Sequence, residues 1–225
     1  MVPEALADWV YEDLQDFYGE PAPRPLQAPL AELIQTILSQ NTADSNSDRA
    51  YKALVDRYGD DWDAVRLAPV QEVADTIRHG GLAEIKARRI QSVLRQIEER
   101  LGELDLEFLH QVPLEEGRDF LRSLDGVGPK TAACVLLFAC GKPAMPVDTH
   151  VHRVSQRIGL IPERATAEQA HGLLEALVPD DRMYAFHMQL IRHGREICKA
   201  QRPRCDKCPV SSQCGYAAHS IRGSA

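Results

Sequence analysis

The chain has 225 residues, 44% of them hydrophobic and 26% charged, with a formal net charge of −7. That length buries a sizeable core and allows one large domain or two modest ones, of which two is the expectation. The start, with acids at Glu4, Asp8, Glu12 and Asp13, lacks the order of a secretory signal, and the longest apolar stretch, Ala132 to Cys140, is too short to cross a bilayer, so a soluble, cytoplasmic protein is expected.

In chain order, apolar residues recur at helical spacing in Leu6, Trp9, Val10, Leu14 and Phe17, in Leu30, Leu33, Ile34, Ile37 and Leu38, and in Ile90, Val93, Leu94, Ile97 and Leu101. No stretch alternates β-branched residues, which points to an all-α fold. Turn signals at Gly19 to Pro25, Tyr58 to Asp60, Gly80-Gly81, Gly126 to Pro129 and Gly141 to Pro146 divide it into ten or more helices. The Pro-rich segment from Glu20 to Pro29 reads as a linker, and Gly141 to Pro146 as a second break. If both are domain crossings, residues 25–142 form an inserted helical domain, with 1–24 and 143–225 making the other. The last residues, Ala217 to Ala225, are small and polar enough to fray.

Charge is segregated along the chain. Met1 to Arg24 holds six acids and one base, whereas Arg182 to Cys208 holds seven bases and two acids. A net negative charge therefore does not exclude a nucleic-acid partner. In the basic region Cys198, Cys205, Cys208 and Cys214 follow a C-x6-C-x2-C-x5-C pattern. Thiols bunched in so short a segment, without an export signal, point to metal ligands before disulfides. The single CxxC flanked by two more distant cysteines favours an iron-sulfur cluster over the two close pairs usual for zinc, which stays open. Cys134 and Cys140 read as small buried thiols.

Two further places suggest chemistry. Leu124-Asp125-Gly126-Val127-Gly128-Pro129-Lys130 puts two glycines between helical patterns, where bare amides can approach a phosphate. Lys130 stands in the first turn of the following helix, where the dipole disfavours a cation. That field and burial would lower its pKa towards a neutral, nucleophilic amine; pairing with a phosphate is the alternative. Asp148 precedes a helical run and so reads as an N-cap, and it could also stabilise a developing sugar cation. His150 and His152, two apart, face different sides of a helix and do not suggest zinc.

The Gly126-Val127-Gly128 hairpin before Lys130, Val147-Asp148-Thr149-His150 with its aspartate eighteen residues on, and the cysteine tail together resemble the endonuclease III family. These are helix-hairpin-helix DNA glycosylases with AP-lyase activity. The similarity runs in order through essentially the whole chain. It implies a six-helix barrel domain with the helix-hairpin-helix at about 115–140, a 4Fe-4S domain with its cluster loop at 198–214, and a DNA cleft between them. It further implies a monomer, nucleoid-associated in the cytoplasm, acting on double-stranded DNA with damaged pyrimidines or abasic sites. Lys130 matches the Schiff-base lysine and Asp148 the catalytic aspartate. Gly126 and Gly128 match the phosphate-holding hairpin, and Gln40 or Asn41 the wedge that fills the gap left by flipping. Leu82 matches the residue pressing on the opposite strand, and Arg202 and Arg204 match phosphate contacts in the cluster loop. Asp125 stands where many relatives have Pro, and Pro129 where many have a base; an acid there should weaken DNA binding. The other readings are a monofunctional mismatch glycosylase, a non-catalytic DNA-binding protein and an electron carrier. Lys130 argues against the first, Lys130 and Asp148 together against the second, and the Gly126-Val127-Gly128 hairpin with Lys130 against the third.

Overall fold

The computed structural model describes residues 2–222, with the side chains of 219–222 left aside. The described residues are helical with no strand among them, and no helix is long and apolar enough to cross a membrane. The chain divides into two compact units, residues 26–141 and residues 1–25 with 142–225.

The 26–141 unit is built on α2 (Pro29–Ser39), which starts with Pro at its first position, where the missing N–H costs nothing. Leu30, Leu33, Ile34, Ile37 and Leu38 of α2 are all buried, as their spacing predicts. Even Glu32 is only 3% exposed, and it takes hydrogen bonds from Gln27 at 2.6 Å and Thr36 at 3.3 Å. Around α2 run α3 (Asp44–Tyr58), α4 (Trp62–Leu67), α5 (Val70–Thr76) and the long α6 (Ala83–Leu101). Ile90, Val93, Leu94 and Ile97 form the buried stripe of α6, while Leu101, at its end, is partly exposed. The hairpin follows, as α7 (Leu114–Arg122) and α8 (Pro129–Cys134), and α8 continues into a π-helical turn at Val135–Ala139.

The other unit contains α1 (Pro3–Tyr18), α9 (Thr149–Ile158), α10 (Ala167–Glu175), α11 (Met183–Glu196) and α12 (Gly215–Arg222). Val10 and Leu14 of α1 are fully buried, but Phe17 is 51% exposed and stacks edge-on to Tyr18. α9 and α11 approach closely because position 194 is glycine: a Cβ there would lie 2.9 Å from that of His150. The expected frayed tail is helical as far as Arg222. Cys214 O accepts from Ala218 N at 3.1 Å, Ala217 is buried, and the Arg157 guanidinium stacks 4.5 Å over the Tyr216 ring. Residues 223–225 lie outside the described chain.

Candidate active site

In the 26–141 unit, Gly128 caps α8, Pro129 opens it and Lys130 follows, half-buried. The hairpin turn is docked on α6 through Gln96, whose Oε1 accepts from Asp125 N at 3.1 Å, and through Arg100, which donates to Ser123 O at 3.1 Å. Its two glycines have different reasons. Gly126 has φ +85°, and a Cβ there would strike the Arg89 side chain at 2.7 Å. Gly128 has φ −88° and no protein atom within 4 Å of a Cβ, so nothing within the chain requires glycine there. A bare backbone at that point instead suits an incoming ligand.

Both expected insertion loops belong to the same unit. Gln40 ends α2, Asn41 is exposed with φ +53°, and Leu82 is 54% exposed with φ +49°. A left-handed leucine exposed to water is costly on both counts and needs external support. Lys86 supplies it. Only 2% exposed, it donates to Leu38 O at 2.5 Å, Thr42 Oγ1 at 2.6 Å and Gly80 O at 2.8 Å. Thr42 Oγ1 in turn donates to Gly80 O at 2.6 Å. One ammonium thus ties the 38–42 loop to the 80–82 loop, and its burial lowers its pKa. Lys86→Met would strip these acceptors of their donor, and a loss on the order of 3 kcal/mol is expected in urea unfolding. Unchanged stability would show that Lys86 does not tie the loops. Gln40 also reaches the hairpin, since its Nε2 donates to Thr131 Oγ1, beside Lys130, at 3.2 Å.

In the other unit, Asp148 is the N-cap of α9, as its place before the helical run predicts: Oδ1 accepts from His150 N at 2.8 Å and Val151 N at 2.7 Å. Both bonds fall on one oxygen, Oδ1. His152 turns away to Ala165 O at 2.8 Å.

The same helix fastens the cysteine loop. Arg153 donates to Cys198 O at 3.1 Å and Gly194 O at 2.9 Å, and Arg157 to Lys199 O at 2.7 Å and Ala200 O at 2.9 Å. Arg157 also lies 3.5 Å from Cys198 Sγ. Asp148, Arg153 and Arg157 are therefore parts of one rigid element. Cys198, Cys205, Cys208 and Cys214 all line one cavity with about 310 Å³ of atom-free space, part of it open to solvent, together with Ile158, Ile197, Val210 and Tyr216. Among the described residues, no three Cys, His, Asp or Glu side chains are grouped as ligands of a single metal ion. Burial pushes the Cys208 thiol up to about 12, and the other three cysteines add to it. Four thiolates crowded in an apolar cavity need a cationic centre to exist as such, so the donor set fits a metal group.

His193, 1% exposed, backs that cavity, with Tyr18 Oη at 3.1 Å from Nδ1 and Cys208 Sγ at 3.5 Å from Nε2. Burial lowers its pKa to about 4, so the ring is neutral. Tyr18 and Cys208 thus occupy its two ring nitrogens, one on each side. Arg202, with φ +50°, and Arg204 are exposed on the loop between the first two cysteines.

A family model described as HhH-GPD superfamily base excision DNA repair protein matches residues 34–180. Endonuclease III of Thermotoga maritima is 37% identical over 190 residues, covering 84% of this chain and 83% of its own. The chain belongs to the endonuclease III family. The solved structure of a non-covalent endonuclease III–DNA complex is 29% identical, with a TM-score of 0.83, and the match covers 99% of this chain and 100% of that one. A trapped endonuclease III–DNA covalent intermediate, an estranged-adenine complex, matches with the same TM-score, identity and coverage. Membership of the endonuclease III family makes the protein a base excision repair DNA glycosylase with AP-lyase activity.

Lys86, Arg89, Thr131, Arg153, Arg157 and His193 were not among the expected site residues. Arg153 and Arg157 left one signal, their spacing of four on the helix that Asp148 caps.

Proposed function

We propose that this protein removes oxidised pyrimidines from double-stranded DNA, as a monomer, and nicks the resulting abasic site by β-elimination. Lys130 carries the chemistry. Its position as the second residue of α8, directly after the Gly126–Gly128 turn, is the observation that supports this most. The damaged nucleotide leaves the stack, at least cost where pairing is already weakened. The lone pair of Lys130 Nζ attacks C1′, the C1′–N bond to the base breaks, and the base departs with that electron pair and takes up a proton. The sugar ring opens to an imine between Nζ and C1′. Loss of a C2′ proton then expels the 3′ phosphate, and water releases the lysine. The Asp148 carboxylate stabilises the positive charge that develops on the sugar. Gly126 and Gly128 offer amides to the backbone, Gln40 or Asn41 fills the vacated space, Leu82 presses on the opposite strand, and Arg202 and Arg204 contact phosphates with salt-dependent affinity.

The four cysteines are assigned a 4Fe-4S cluster. All four line one cavity, and their single CxxC flanked by two more distant cysteines suits a polynuclear cluster better than the two close pairs usual for zinc. When bound it would brace the loop bearing Arg202 and Arg204. That a related chain has been caught as a covalent intermediate on DNA supports the covalent step. The test is excision and nicking across duplexes carrying thymine glycol, dihydrouracil, an abasic site or a mismatch, on anaerobically purified protein analysed for iron and sulfide. Oxidised pyrimidines excised with concerted nicking, by protein with iron and sulfide, are expected. Base release without nicking, or zinc without iron, would overturn the lyase or the cluster respectively.

A further inference from the structure

Gln40 is one of the two residues named above for the space a flipped nucleotide leaves, and its side-chain amide is engaged at both ends within the protein. Its oxygen accepts from Arg89 Nη1, in the second turn of α6, and its nitrogen donates to Thr131 Oγ1 at 3.2 Å. A guanidinium has only donors and an amide only one acceptor end, so this contact fixes which way round the amide stands. Arg89 also lies against the hairpin, since a Cβ at Gly126 would come within 2.7 Å of its Nε and 2.9 Å of its Cδ. One half-buried side chain therefore touches the hairpin glycine and the wedge, and the far end of the wedge amide rests on the neighbour of Lys130.

Arg89 has no carboxylate partner among the described residues, whereas its neighbour Arg88 pairs with Glu84 at 2.5 Å. Its guanidinium is directed instead at a neutral amide. A charge-assisted bond of this kind is stronger than the neutral bond from Gln40 to Thr131. When the amide leaves the protein, the Thr131 bond breaks first.

We propose that Arg89 is a positioning residue for Gln40: it keeps hold of the amide oxygen as the side chain enters the duplex, so that the N–H end faces the orphaned base. Both purines opposite a pyrimidine lesion carry an acceptor on their pairing edge, N1 of adenine or O6 of guanine, and a presented N–H suits either. The inference rests on the function proposed above and adds to it a residue that sets the wedge.

The test is a double-mutant cycle of Arg89→Ala, Gln40→Ala and the pair, with Arg89→Lys alongside. The readouts are single-turnover excision of thymine glycol and the fluorescence of 2-aminopurine beside the lesion, which reports unstacking. Loss of the Arg89 bond should lower both by about 10-fold or more. Gln40→Ala should match it, the pair should be no worse than Gln40→Ala alone, and Arg89→Lys should recover part of the loss. Thermal unfolding of the four variants separates a folding defect from this effect, since the lysine variant keeps the buried stem. Effects that multiply in the pair, or an Arg89→Ala as active as wild type, would overturn the inference while leaving the function standing. A wild type that neither excises nor traps on abasic DNA would instead bring down the function and this inference with it.

Discussion

Lys130→Ala leaves an abasic duplex intact, with nicking lowered by at least about 10³-fold and no borohydride-trapped species. The protein itself should be no less stable. A lysine at the second position of α8 sits against the positive end of the helix, and alanine is the better helix former at the same place. Loss of activity with unchanged or slightly raised unfolding temperature is therefore expected, measured on one preparation by nicking assay and calorimetry. An inactive variant that melts early would mean that Lys130 serves packing. An active one would move the nucleophile elsewhere.

Asp148 requires two substitutions because a cap and a catalytic charge are both assigned to it. Asparagine keeps an oxygen able to accept from His150 N and Val151 N but removes the charge; alanine removes both. Asp148→Asn should slow base excision by about 10²–10³-fold with the fold intact. Asp148→Ala should show the same slowing and a further loss of about 1 kcal/mol in stability. Since Arg153 and Arg157 on the same helix hold the cysteine loop, the alanine variant should also release iron faster on warming. Full excision by Asp148→Asn would reduce the residue to a cap.

The helices could be read from the chain because their signals are local. The α2 stripe from Leu30 to Leu38 repeats at the helical period, Pro29 opens it, and every stripe residue is buried where the period puts it. Lys130 drew attention for the opposite reason, as a residue that local helix physics would not choose. What could not be read is set by contacts distant in sequence. Arg89 meets Gln40 across 49 positions, Lys86 meets Leu38 across 48, and Arg157 meets Cys198 across 41. A basic residue on an amphipathic helix looks like any solvated charge until the partner is placed. Lys86 is the sharpest case: it falls in the apolar stripe of α6, and only the three oxygens converging on it explain a buried ammonium. Of the tail expected to fray, Ala217 is buried, small enough to pack where a larger residue would not.

The most direct test of the central claim, that Lys130 forms the bond to the sugar, is borohydride reduction of the wild-type protein on an abasic duplex, followed by proteolysis and mass spectrometry of the cross-linked peptide. One adduct is expected, on Lys130, in the tryptic peptide spanning Ser123 to Arg153, since Lys142 is followed by Pro143. An adduct on Lys86, on the amino terminus or on any other amine would contradict it.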